Sequence, residues 1–279
     1  MTSALAALTG KEFGEASRSR WLSGFVAAFL ALGGVLMAAG AWGSAFGGGA
    51  GFGRTTAALI NLILLVVPLM GLTAGALAFS GERERRTMEF LLSLPVDSGE
   101  VFWAKFLGIG WALAAALALA FGLLAAILAS QGGFAHAGAY LGCFASTLLL
   151  AAVSLALGLA LSAWSSRVAA AAGWALLAWL GLVFAGDLGL MGTSLAVRLP
   201  PGALLASAWL NPLSLFRLLA IDASAAGLDA LGPAGHCAED MLGAWLRPAA
   251  LAGMIAWLAA ALAAARALFG RKPLTGFDA

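Results

Sequence analysis

The stretch GERERRTMEFLLSLPV, Gly81 to Val96, carries six charged side chains between Glu82 and Glu89 and is bordered on both sides by apolar sequence. The whole chain of 279 residues holds only 15 Lys and Arg and 13 Asp and Glu, so charge is concentrated here. Hydrophobic residues make up 62% of the chain and charged residues 10%. A water-soluble domain is nearer about 45–50% apolar and about 25% charged. With so little polar material to cover a surface, the chain's natural solvent is a bilayer, and the charged stretch reads as a loop between two spans. The net charge of +2 points to no nucleic-acid partner. Cys143 lies in an apolar run and Cys237 in a polar loop, which gives no disulfide framework.

Working outward from the loop, a spanning helix needs about 20 mostly apolar residues. Thr56 to Ser80 precedes the loop as span two, and Trp21 to Trp42, with Trp at each end, is span one. The 61 residues between Lys105 and Arg167 contain no Asp, Glu, Lys or Arg, enough for spans three and four around a turn at SQGGFAHAG, Ser130 to Gly138. Val168 to Gly186 is span five and Pro248 to Ala265 span six. With the N-terminus inside, 11 Lys and Arg fall on inner segments and four on outer ones, so both termini are expected in the cytoplasm. The chain reads as one all-α integral membrane domain, residues 1–279, with six transmembrane helices. Small residues in LALGLALSAW and GWALLAWLG suit close helix approach, and Asn61, Thr73, Ser146, Thr147, Ser154 and Ser162 suit hydrogen bonds between helices. Pro68 in span two predicts a kink.

Within the loop, Glu82 with Arg86 and Arg85 with Glu89 stand four apart, as helix-supporting pairs do. Met88, Leu91 and Leu92 form an apolar stripe, and Pro95 stops the helix. Asp97 then caps a second helix with Glu100 three residues on, and Val96 and Val101 stand where a hydrophobic staple places them. This second helix runs into span three. On spacing alone two readings stand: a solvated positive-inside loop, or a short amphipathic helix at 82–94 that docks on another protein and passes motion into the membrane.

GERERRTMEFLLSLPVDSGEVFWAKFLG, Gly81 to Gly108, resembles the segment after the second span of ABC type-2 permeases, and ALAALTGKEFGEASRSRW, Ala4 to Trp21, resembles their amphipathic elbow helix, with Leu5, Leu8 and Phe13 apolar. The resemblance covers nearly the whole chain. It implies an elbow helix at 1–20 and a cytoplasmic coupling helix at 82–94. It also implies ATPase-coupling roles for Glu82, Arg83, Arg85, Arg86, Glu89 and Leu92, through contact with a separate ATPase subunit. It further implies a homodimer with two such subunits in the bacterial inner membrane, surrounded by lipid. The chain has no phosphate-binding loop of its own: LAALTGKE, Leu5 to Glu12, has Leu where the first Gly belongs and Glu where Ser or Thr belongs. ATP and Mg are therefore expected on the partner, with no cofactor in this chain.

Gly192 to Arg247 is expected to be an extracytoplasmic helical segment before span six. LNPLSLFRLLAID, Leu210 to Asp222, reads as a helix capped by Asn211 with Pro212 in its first turn and Phe216, Leu219 and Ala220 on one face. AEDMLGAWLRP, Ala238 to Pro248, reads as another, with Glu239 and Asp240 at its start. These are open to two readings, a lid lying on lipid or a face for a partner. The first of the two resembles the permeases of nitrous-oxide reductase maturation systems. That resemblance implies a periplasmic copper-handling protein docked outside at Asn211, Pro212, Phe216 and Arg217, and copper-site maturation as the task. Export of a small lipophilic compound or ion is the alternative. No metal site is assigned. His236, Cys237 and Met241 are soft enough for Cu(I), but without a second ligand group they read as ordinary loop residues. Neither His lies in a span, and no pair of acids does, which leaves no enzyme constellation in the membrane. The near-membrane acid outside the inner loop is Asp187, too little for ion-coupled transport.

Overall fold

The computed structural model describes residues 2–45, 51–85, 97–130, 137–195, 208–223 and 243–271. Within them the chain forms α1 (Thr2–Ser17), α2 (Arg20–Ala45), α3 (Gly51–Glu84), α4 (Ser98–Ser130), α5 (Ala137–Trp164), α6 (Val168–Leu195), α7 (Pro212–Ala223) and, after a 3-10 turn at Gly243–Trp245, α8 (Leu246–Arg271). There is no strand among the described residues. Six helices (α2 to α6 and α8) are long and apolar enough to cross a membrane, and the six spans read from sequence fall on them.

The start of α4 follows the local code. Asp97 is the N-cap: its carbonyl accepts from the amides of Glu100 and Val101, and its own amide donates to Glu100 Oε2 at 3.4 Å, one arm of a capping box.

Composition does not say which span is central, because lipid-facing and protein-facing residues are equally apolar; packing does. The apolar stretch of α3 is 72% buried and that of α6 only 11%, so α3 is the core and α6 the periphery. The main contact is α3 on α5, made possible by glycine. A methyl on Gly75 would stand 2.5 Å from the Leu155 carbonyl, and one on Gly71 2.7 Å from Ser154 Cβ. From the other side, a methyl on Gly158 would collide with the Leu72 carbonyl. Without side chains at these three points, backbone lies on backbone. LALGLALSAW supplies one side of this crossing, as expected. GWALLAWLG does not: Gly173 and Gly181 face open space.

The polar residues of the spans divide into two groups. Thr73 bridges helices, accepting from Trp21 Nε1 at 3.1 Å, and so does Ser162, whose Oγ lies 3.0 Å and 2.9 Å from the amides of Phe79 and Ser80. Ser146, Thr147 and Ser154 instead donate to carbonyls of their own helix, and Asn61 is exposed. Pro68 sits inside α3, and Trp179 Nε1 donates to the Leu65 carbonyl three residues before it.

At one end of the bundle, Phe79, Phe102 and Phe269 bring α3, α4 and α8 together, with 4.6 Å between the rings of Phe79 and Phe269. The opposite end is organised by α7. Asn211 caps it as the sequence suggests, with Oδ1 accepting from the Leu213 amide at 2.9 Å, while Nδ2 donates to the Leu182 carbonyl at 2.7 Å. Its placement differs from the expectation of a surface helix. Leu213, Leu215, Phe216, Leu218, Leu219, Ala220 and Ile221 are all buried, and α7 is wedged between α3, α5, α6 and α8. Apart from half-buried Ser214 and Arg217, which share one side, the helix is apolar from Pro212 to Ile221, and so broad an apolar surface is buried in such a slot.

The glycine crossing yields a paired expectation. Gly75→Leu forces α3 and α5 apart, at a cost of about 1–3 kcal/mol or more, whereas at Gly173 an added Cβ has no atom within 4 Å, so Gly173→Leu should cost far less. Thermal unfolding of the detergent-solubilised protein should separate the two variants; equal melting temperatures would refute the close contact.

Candidate coupling site

The stretch that opens the sequence reading begins inside a helix. α3 continues without a break through Glu82 and Arg83 to Glu84, so these residues form the last turn of a spanning helix rather than the start of a separate one. Arg85 is exposed just beyond. Arg86, Glu89 and Leu92, with Met88, Leu91, Pro95 and Val96, lie outside the described residues. So do His236, Cys237 and Met241. Among the described residues there is no group of three or more His, Cys, Asp or Glu arranged to hold a metal.

Glu82 is largely withdrawn from the surface, its side chain 14% exposed. Its Oε1 accepts from Lys105 Nζ at 2.7 Å, and the same ammonium lies 3.1 Å from Glu12 Oε2. The Lys105 side chain is 3% exposed, with the ring of Phe79 centred 5.9 Å from Nζ. One ammonium thus ties α1, α3 and α4 together. Lys11 adds a second cation at the rim, 3.4 Å from Glu15 and 3.6 Å from Glu12. Partial burial alone would lower the affinity of Lys11 for its proton, but the carboxylates of Glu12, Glu15 and Glu82 outweigh it and hold Lys11 above its ordinary value.

The local geometry explains the meeting. α1 lies across α4 at Gly108, where a methyl would stand 2.5 Å from Glu12 Cβ and 2.8 Å from the Thr9 carbonyl. Lys105 is three residues earlier on the same face, directly under Glu12. By sequence, Lys105 counts among the positive-inside charges and Glu12 enters only as the residue that breaks the phosphate-loop pattern. The available signal was position: Glu12 follows Leu5 and Leu8 at helical spacing, so an acid interrupts the apolar stripe of α1.

Arg83 and Glu84 turn the other way. Arg83 Nη1 lies 3.3, 3.1 and 2.9 Å from the carbonyls of Ser162, Ala163 and Ser165, where α5 ends. Glu84 Oε2 accepts from the Val168 amide at 2.9 Å, where α6 begins. The cluster borders a cavity of about 850 Å³ whose rim carries Lys11, Glu82 and Lys105 and whose wall includes Met70, Ala74 and Leu113.

The outer-face residues proposed from sequence are placed differently. Asn211, Pro212 and Phe216 are buried within the bundle, so their side chains are not presented at an outer surface; Arg217 is half-buried. The reason is that α7 is apolar over most of its circumference, all but the side of Ser214 and Arg217, and is drawn into the bundle.

The ion cluster gives a test of its own. Lys105→Met removes the buried ammonium and leaves Glu12 and Glu82 only Lys11 at the rim, 3.6 Å and 4.0 Å away, at a cost of up to about 3–5 kcal/mol. Replacing Glu12 and Glu82 by Gln in the same chain should recover most of it. Unfolding of the purified variants in detergent measures both; no recovery in the triple variant would contradict the charge account.

Comparison with known proteins agrees with this architecture. The family model of the ABC-2 family transporter protein matches residues 6–274. A protein of Pseudomonas aeruginosa described as a probable ABC transporter permease protein NosY is 36% identical over 95% of this chain and 97% of its own length. A protein of Stutzerimonas stutzeri with the same description is 32% identical over 94% of this chain and 96% of its own length.

Proposed function

The chain belongs to the ABC-2 transporter family as a multi-pass permease, the membrane subunit of an ABC transporter that works with an ATPase partner, and on that premise we propose that it transmits the ATPase's stroke to periplasmic copper-site maturation of nitrous-oxide reductase. The observation that carries the transmission is the Lys105 bridge to Glu12 and Glu82, which joins the first turn of the 82–94 segment to two other helices. A push on that segment cannot stay local.

In this reading both termini and the Lys105 end lie in the cytoplasm of a bacterial inner membrane. Two copies pair through their exposed apolar faces and carry two ATPases. ATP and Mg bind there, and this chain is not itself an enzyme. Arg85, Arg86, Glu89 and Leu92 meet the ATPase, while Glu82 and Arg83 hold the segment's root. Movement of α3 and α4 then changes the outer end beneath α7, where a periplasmic copper-handling protein docks. Copper is cargo in this scheme, and His236, Cys237 and Met241 are candidates for a passing contact only. The maturation role is supported by the likeness to the NosY proteins.

A second reading, export of a small lipophilic compound, is favoured by the largely apolar wall of the 850 Å³ cavity. Proteins recovered with the tagged permease distinguish the two: an ATPase with a periplasmic copper-handling protein for maturation, an ATPase without one for export.

The variant Arg85→Glu with Arg86→Glu should insert normally, yet leave nitrous-oxide reductase short of copper in cells while the ATPase still hydrolyses ATP. Normal copper content in the reductase would defeat the coupling role of this segment.

A further inference from the structure

Three consecutive charged residues, Glu82, Arg83 and Glu84, close α3. A helix turns by about 100° per residue, so they point in three directions, and each finds a different neighbour. Glu82 reaches Lys105 of α4 and, through it, Glu12 of α1. Arg83 reaches the carbonyl end of α5, and Glu84 the amide start of α6.

We infer that Arg83 and Glu84 are positioning residues that fix the Ser165–Arg167 corner to the root of the coupling segment, so that the ATPase's stroke enters α5 and α6 at the same time as α4. This rests on the reading that an ATPase pushes on the 82–94 segment.

The chemistry of the corner favours a tether over a chance contact. The last carbonyls of α5 have no partner in their own helix and carry the negative end of its dipole. A guanidinium satisfies them with charge-assisted hydrogen bonds, and one Arg83 nitrogen serves two of them, Ser162 and Ala163, together with the Ser165 carbonyl just beyond the helix. The first amides of α6 are likewise orphaned, and Glu84 caps one from another helix, a role normally filled by the preceding residues of the same chain. About one turn earlier, the amides of Phe79 and Ser80 face Ser162 Oγ. Still earlier, Gly75 and Gly158 leave no slack between the two backbones. The last two turns of α3 are thus bonded along their length to α5. Only Ser165, Ser166 and Arg167 separate α5 from α6, so α6 cannot lag behind. Ser166 and Arg167 are exposed on the corner, where a probe can reach them.

The test uses the full permease–ATPase complex in lipid nanodiscs, with Cys143 and Cys237 replaced by Ser. Single cysteines are placed at Ser166→Cys, on the corner, and at Ser98→Cys, at the start of α4. The readout is the rate of maleimide labelling with and without a non-hydrolysable ATP analogue. With Arg83 and Glu84 intact, the analogue should change the rate at both sites. In Arg83→Gln with Glu84→Gln, the response should persist at Ser98→Cys and be lost at Ser166→Cys. A merely structural role would alter labelling equally with and without nucleotide and would not separate the two sites. Should the double variant fail to assemble, Glu84→Ala removes one tether at an exposed position and should give the same selective loss in smaller measure. An unchanged response at both sites in these variants overturns the inference while leaving the coupling segment intact. No response at either site in the unmodified complex overturns the coupling reading, and the inference with it.

Discussion

A lysine ammonium with 3% of its side chain exposed is the constraint around which the charged end is arranged. Removing an ammonium from water is expensive, and the loss is recovered only if carboxylates meet it with good geometry. Lys105 has two, and neither is on its own helix. The requirement therefore dictates tertiary structure. α3 must end where Glu82 can reach 2.7 Å from Nζ, and α1 must cross α4 closely enough for Glu12 to lie above it. Gly108 is the concession that crossing demands, because any side chain there would lift α1 away. Hydrophobic association cannot perform this positioning inside a bilayer, where lipid tails are as apolar as the helices they surround. Polar tethers and close backbone contact carry the specificity instead.

The two devices are used at different depths. In the apolar middle, Gly71, Gly75 and Gly158 allow α3 and α5 to touch backbone to backbone. Toward the charged end, Ser162, Arg83 and Glu84 continue the same contact with hydrogen bonds. α3 is consequently held along its length, which agrees with its being the most buried of the six spans. α6 is held near its start by Glu84 and at Trp179, and its outward face carries Trp174, Leu177 and Phe184 exposed. That face suits lipid or a second copy of the chain.

Much of this was legible before any coordinates. Runs without charge placed six spans, because the hydrocarbon thickness sets a length that sequence cannot hide. Local caps were also readable: Asp97 with Glu100, and Asn211 before Pro212, involve residues within four positions of one another. What escaped was burial. In water, the apolar face of a helix reveals its inner side; in a membrane both sides are apolar, so LALGLALSAW and GWALLAWLG looked alike although only the first uses its glycine for backbone contact, while the second meets α3 through Ala175 and Trp179. For the same reason α7 looked like a surface helix and is a core one. The charged loop misled in a different way. Its four-residue spacings describe pairs along one helix, with Arg86 and Glu89 outside the described residues, but they gave no sign that Glu82 also meets a lysine 23 residues away.

The alternation of sign in Glu82, Arg83 and Glu84 has a physical logic that pairing along a helix does not explain. Each neighbour presents a different charge to the end of α3. α4 offers an ammonium, so an acid faces it. α5 offers the negative end of its dipole, so a base faces it, and α6 offers a positive end, so an acid faces that. The sequence E-R-E is therefore the complement of three surfaces read in rotational order, and changing any one sign would set like charge against like at that surface alone. A segment built to dock on a partner needs its charges outward. Here Glu82 and Arg83 face inward, Glu84 reaches the Val168 amide from an exposed position, and Arg85 is exposed beyond it. In the proposed reading, the boundary between holding and docking falls at Glu84, the last residue of α3.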